Sequence, residues 1–97
     1  MNAPKSIIWS KAAKSDLNRV YHFLAPKNPK AAKTCLSTIA DTLSLLPANP
    51  QMGRPSRLGG YEREIIIGYG GSGYICTYRV FDSDVIILRI WHQREKR

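Results

Sequence analysis

The stretch Tyr74-Ile75-Cys76-Thr77-Tyr78-Arg79-Val80-Phe81-Asp82-Ser83-Asp84-Val85-Ile86-Ile87-Leu88-Arg89-Ile90-Trp91 decides the fold. Residues 74–81 and 85–91 are rich in aromatic and β-branched side chains, which suit a pleated, half-buried surface. Between them Asp82-Ser83-Asp84 offers side chains that bond their own backbone, the chemistry of a tight turn. The stretch therefore reads as two antiparallel strands. Upstream, residues 61–67 end in Ile65-Ile66-Ile67 and form a third strand. The glycine-rich run Gly68-Tyr69-Gly70-Gly71-Ser72-Gly73 turns it into the next. Consecutive strands with short connections make an antiparallel meander.

Before a loop over residues 51–60 the period changes. Ala32, Cys35, Leu36, Ile39, Leu43 and Leu46 recur at threes and fours, one face of a helix. Asn28-Pro29 opens it, with Asn as N-cap and Pro in the first turn, and Pro47 and Pro50 close it. Ala13, Leu17, Val20, Tyr21 and Leu24 give a second apolar face, starting after the N-cap Ser10 and ending at Pro26. The short linker between the two makes a helical hairpin. Residues 6–10 read as a short strand. The expected fold is α+β, in the order β-α-α-β-β-β, with the helical hairpin packed on one face of a small antiparallel sheet. The opposite face is expected to be partly open.

The chain has 97 residues, room for a single domain spanning 1–97. No apolar stretch is long enough to cross a membrane or to act as a secretory signal, so a cytoplasmic protein is expected. Cys35 and Cys76 lie in apolar patterns and read as small buried hydrophobes. His22, His92 and the two cysteines show no ligand spacing, so no metal site is expected. The glycine run lacks the Gly-Lys-Ser/Thr ending of a phosphate loop and is followed by a strand, so no cofactor is expected either.

Fifteen Lys and Arg stand against seven Asp and Glu, a net charge of +8. That field favours an anionic partner, a nucleic acid or an acidic protein. A lipid surface is disfavoured, because no basic amphipathic helix carries aromatic anchors. Residues 1–50 hold six Lys and only Arg19, whereas residues 51–97 hold seven Arg and only Lys96. Arginine presents a planar fork suited to phosphate or carboxylate, which directs attention to the second half. Arg54 and Arg57 lie on the loop before the sheet, and Arg63, Arg79 and Arg89 lie within strands. His92 follows Trp91. Such a set can bind and cleave a phosphodiester, with arginines holding the developing charge and His92 moving a proton. It can equally be structural, with Arg63 and Arg79 paired to glutamates across the sheet.

Several pieces of the sequence, taken in order, resemble the RelE/ParE superfamily of bacterial type II toxin–antitoxin toxins, and its ParE-like branch above all. They are Trp9, Ala13 and Asp16-Leu17; Asn28-Pro29 with Ala31-Ala32; Gly53-Arg54-Pro55; Arg63-Glu64; Tyr78-Arg79; Val85-Ile86-Ile87-Leu88-Arg89-Ile90; and His92-Gln93-Arg94. The resemblance implies a toxin that arrests bacterial growth and serves plasmid or chromosome maintenance. A cognate antitoxin, acidic and partly disordered, would neutralise it in a hetero-oligomer. ParE-like members poison DNA gyrase and are not enzymes in that role. Arg54, Arg57, Arg89, Trp91 and Arg94 are then the expected target-binding residues. RelE-like members cut mRNA on the ribosome, and in that case Arg63, Arg79 and His92 would be catalytic. The chain lacks the lysine pair of the best-known nuclease before the sheet, and no Tyr follows His92.

Overall fold

The computed structural model describes residues 6–56, 60–69, 72–82 and 84–94. The elements are β1 (Ser6–Trp9), α1 (Lys11–Leu24), α2 (Pro29–Leu43), β2 (Arg54–Pro55), β3 (Glu62–Tyr69), β4 (Ser72–Phe81) and β5 (Asp84–His92). Both helices begin at the expected caps. Ser10 Oγ accepts from the Ala13 amide at 3.0 Å, and Asn28 Oδ1 accepts from the Ala31 amide at 3.0 Å. Each satisfies one of the amides that a helix start leaves without an intrahelical partner. The Ser10 hydroxyl also donates to Leu88 O at 2.9 Å, which ties the start of α1 to the sheet.

The five strands form one sheet in the order β1-β5-β4-β3-β2. The meander β3-β4-β5 is antiparallel throughout, as expected. The sheet as a whole is mixed, however, because β1 pairs parallel to β5, with Ser6 opposite Asp84 and Trp9 opposite Ile87. Two helices and three strands intervene between β1 and β5, so no hairpin forces them antiparallel, and they run the same way. A further two-residue strand, β2, pairs antiparallel with β3. The glycine-rich turn is tighter than its composition suggests. Gly68 pairs with Gly73 and Tyr69 with Ser72, so the strands continue into it. At the other hairpin Asp82 takes a positive φ of 58°, a conformation that Asp tolerates better than most residues. α2 ends at Leu43, earlier than the apolar pattern implies, and Leu46 reaches the core from the turn that follows.

α1 lies against β5 and α2 against β3, on the same face of the sheet. The core between the layers contains Ala13 and Val20 of α1 and Cys35, Ile39 and Leu43 of α2. The sheet contributes Ile67, Tyr74, Cys76, Tyr78, Val85, Ile87 and Ile90. Both cysteines are buried and unpaired, as their patterns implied. Burying each large aliphatic side chain contributes roughly 1.5–3 kcal/mol.

One irregularity sets the geometry of β5. Thr77 pairs with Arg89 and Tyr78 with Ile87, so Leu88 is an extra residue in the strand. This bulge shifts the alternation by one. Ile87 and Ile90, three apart, both enter the core, and Arg89, opposite Thr77 in the register, sends its guanidinium to Asp16 of α1.

Candidate functional site

Alternation along the meander sorts the candidate residues onto two faces. Arg63 is opposite Tyr78 and His92 is opposite Tyr74, both tyrosines of the core, so Arg63 and His92 are on the helix side. The helix-free face shows three rows across the strands. Arg54, Glu64, Thr77 and Arg89 form one. Glu62, Arg79, Ile86 and Ile8 form the second, and Ile66, Ile75 and Trp91 the third. Ile8 and Ile66 are exposed on this face, whereas Thr77 and Glu64 are buried.

The register therefore sets Arg54, Arg79, Arg89 and Trp91 at positions of one face, with the Arg89 guanidinium bonded to Asp16 of α1. It does not bring Arg63, Arg79 and His92 together. Arg79 is on the opposite face from the other two. Arg63 and His92 are separated by the four residue steps from Tyr74 to Tyr78, roughly 13 Å along the strand direction, and by two strand spacings across it. Arg94 is exposed just beyond β5, and Arg57 lies outside the described residues.

Each arginine has a distinct local environment. Arg54 Nη2 is 3.2 Å from Glu64 Oε1, a carboxylate whose side chain is fully buried. Arg63 Nη1 donates to Gly53 O at 2.7 Å. Neither Arg63 nor Arg79 forms the cross-strand glutamate pair that the sequence allowed. Arg89 Nε and Nη2 grip the Asp16 carboxylate at 2.8 and 3.1 Å, and the Arg89 guanidinium lies 5.2 Å from the Trp91 ring centre. Arg79 is held by two rings, with its guanidinium carbon 5.7 Å from the centre of Tyr61 and 5.8 Å from that of Phe81.

The loop that carries Arg54 is fixed by a buried network. The Gly53 amide donates to Tyr78 Oη at 2.8 Å, and that hydroxyl donates to Pro50 O at 2.8 Å. Burial pushes the Tyr78 phenol up, partly offset by its bond with Gly53 and by the charge of Arg63. The phenol stays protonated, as its donor role requires. A Cβ on Gly53 would lie 2.7 Å from Glu64 O and from the Tyr78 ring, so only glycine fits there. The Gly-Arg-Pro motif thus has a structural meaning: close approach at Gly53 and an ion pair at Arg54.

His92 packs edge-on against Tyr74, with ring centres 5.3 Å apart at 85°. Its Nδ1 accepts from the Arg94 amide at 3.1 Å, which assigns the neutral ring's proton to Nε2. Among the described residues no three of His, Cys, Asp and Glu cluster to hold a metal. The surface depressions are open to solvent, one between α1 and α2 around Leu17, Tyr21 and Leu36 and another around Pro55, Tyr61 and Val80.

Sequence reasoning gave Asp16, Glu64, Tyr61 and Phe81 no part in the site. Asp16 left a signal, because it lies three residues from Ala13 and four from Val20, within the apolar stripe of α1. A carboxylate there must meet a partner when the stripe is buried. Phe81 is two residues from Arg79 and so on its face. The approach of Tyr61 depends on the pairing of β3 with β4, which local pattern does not reveal.

These features describe a small basic α+β domain whose arginines and aromatic rings are displayed on a broad surface, suited to meeting other macromolecules. Residues 7–97 match the family described as the ParE toxin of the type II toxin–antitoxin system parDE. Two toxins of Caulobacter vibrioides are similar along the whole chain. Toxin RelE1 is 36% identical over 92 residues, covering 95% of this chain and 97% of the relative. Toxin RelE3 is 31% identical over 93 residues, covering 96% and 99%. Among solved structures, a chain of the chromosomal ParDE toxin–antitoxin system from P. aeruginosa superposes with a TM-score of 0.78 at 25% identity, covering 92% of this chain and 96% of that one. The toxin–antitoxin complex RelBE2 from Mycobacterium tuberculosis shares the fold, with a TM-score of 0.54 at 22% identity over 93% and 99% of the two chains. The chain belongs to the ParE toxin family and is the toxin of a type II toxin–antitoxin system.

Proposed function

We propose that this toxin arrests bacterial growth in the cytoplasm by binding DNA gyrase through its helix-free face, with Arg54, Arg89, Trp91 and Arg94 among the contacts. An acidic, partly disordered antitoxin neutralises it in a hetero-oligomer, a reading supported by the net charge of +8. The observation that carries the gyrase reading over the nuclease one is the separation of Arg63, Arg79 and His92 onto two faces of the sheet. General acid–base cleavage needs proton donor and charge stabiliser within hydrogen-bond reach of one phosphodiester. The match to the ParE family over residues 7–97 supports the same choice.

The decisive test is a supercoiling assay with purified toxin, gyrase and plasmid, with and without ATP. Protein-linked linear DNA is the expected product. A second reading, ribosome-dependent mRNA cleavage, is favoured by the naming of the two similar toxins as RelE1 and RelE3. Unchanged supercoiling by folded toxin, together with cleavage of mRNA on ribosomes, would establish that reading instead.

A further inference from the structure

Arg79 differs from its neighbours in what holds it. Arg54 is paired with Glu64, Arg63 with Gly53 O, and Arg89 with Asp16. Arg79 has no hydrogen-bond acceptor and no ion-pair partner among the described residues. Glu62, directly opposite it on β3, forms no ion pair with it either. What positions its guanidinium is the pair of rings, Tyr61 and Phe81, each within the range of a cation–π contact. Rings engage the face of a guanidinium and leave its N–H edge available. Contact with both rings narrows the conformations open to the side chain, which lowers the entropy cost of binding.

The surroundings select the ligand. Tyr61 is 83% exposed and Phe81 53%, two large rings beside Arg79 that are open to solvent. Exposed Tyr and Arg together are the usual makings of a protein-binding hot spot. A nucleic-acid strand needs several available cations in a track. Here the other described arginines of this face, Arg54 and Arg89, are paired with Glu64 and Asp16, and Glu62 adds a negative charge beside Arg79. A single carboxylate flanked by apolar side chains fits better than a polyphosphate backbone.

We infer that Arg79, clamped between Tyr61 and Phe81, is a preorganised carboxylate receptor that captures an acidic, apolar-flanked peptide segment of the antitoxin. The identity of the occupant rests on the antitoxin reading above; the receptor itself does not.

The test is fluorescence anisotropy of a labelled short peptide of Asp, Glu and Leu, titrated with the full-length toxin. A matched peptide with Asn and Gln for the acids and a short oligothymidylate are the comparators. The acidic peptide should bind the wild type, and the amide peptide roughly tenfold more weakly. Arg79→Gln should lose roughly tenfold for the acidic peptide. Arg79→Lys should fail to restore that affinity, because an ammonium lacks the fork. Tyr61→Ala with Phe81→Ala should weaken binding in the same direction. Lys33→Gln, which removes the same charge from the exposed face of α2, should leave binding nearly unchanged. Unfolding temperatures of the variants should match the wild type, since Arg79 makes no hydrogen bond among the described residues. Equal losses for Arg79→Gln and Lys33→Gln, or tighter Arg79-dependent binding of the oligothymidylate, would overturn the inference. The gyrase assay run on wild-type toxin separates the two readings. Gyrase poisoning without Arg79-dependent peptide binding removes the receptor and leaves the function; the converse removes the target and leaves the receptor.

Discussion

Asp16 reaches from α1 to the edge of β5, where its Oδ2 accepts from both Arg89 Nε and the Ile90 amide at 2.8 Å. β1 covers β5 only as far as Ile87, and beyond it no strand among the described residues pairs on that side. Asp16 takes the place of a neighbouring strand by accepting from Ile90 N. Arg19 completes the substitution by donating to Ile90 O at 3.1 Å. An exposed strand edge is a template for unwanted pairing, and here two side chains of one helix close it.

Removing this carboxylate should be costly. Asp16→Ala removes the acceptor of the Ile90 amide and the carboxylate that Arg89 grips. The expected loss is about 3 kcal/mol, at the lower end for a buried pair because Arg89 remains partly exposed. Urea unfolding of the wild type and the variant measures it, and a loss within experimental error would refute the edge-capping role.

The same pair sets an acid dependence. Burial alone pushes the Asp16 carboxyl up, but hydrogen bonds from Arg89, the Ile90 amide and Arg19, together with the Arg89 charge, outweigh it and hold it below its ordinary 3.8. A depressed carboxylate contributes stability that is fully present above pH 3.8 and is lost as pH falls through the folded value. Stability should therefore drop below about pH 4 in the wild type and drop less in Asp16→Asn. Parallel acid profiles for the two proteins would contradict this account.

Gly53→Ala should loosen the loop before the sheet. The added methyl would meet Glu64 O and the Tyr78 ring at 2.7 Å, and the backbone oxygen has no freedom to move aside. A cost of roughly 1–3 kcal/mol is expected from overpacking. Faster amide exchange should be confined to residues 50–56.

Tyr78→Phe removes the hydroxyl that joins the Gly53 amide to Pro50 O. Leaving that buried amide unpaired should cost roughly 1–3 kcal/mol. Gly53→Ala and Tyr78→Phe share this network, so their effects should be less than additive in a double-mutant cycle.

Neither cysteine should react in the native state. Burial pushes the Cys76 thiol up to about 12 and raises Cys35 as well, although a bond with Tyr74 partly offsets the latter. The thiolate is the reactive form, so iodoacetamide at pH 8 should label Cys35 and Cys76 only after unfolding. Rapid labelling of folded protein, read by mass spectrometry, would show that the core opens more readily than its packing implies.

Much of the architecture is legible in the local pattern. The caps at Ser10 and Asn28, the helical stripes and the alternation through Tyr74 and Cys76 each depend on a few adjacent residues. The fold family also follows from the order of short motifs along the chain. The candidate site was legible as a list of arginines but not as an arrangement. Arg63 and Arg79 look alike in sequence, each an arginine in a strand, yet pairing with β4 puts one toward the helices and the other away from them.

What the sequence by itself determined is the two helices, the first strand, the three-strand meander, their order and the positive charge, because propensity, capping and periodicity are short-range properties; the two-residue β2 within the expected loop 51–60 was not legible. The tertiary structure alone decided that β1 lies parallel beside β5, that the bulge at Leu88 returns Ile90 to the core, and that Asp16 closes the strand edge. It alone decided which arginines are engaged internally and which is held between two rings. Those outcomes follow from contacts between residues far apart in the chain, where register and packing choose the partner and local preference has no influence.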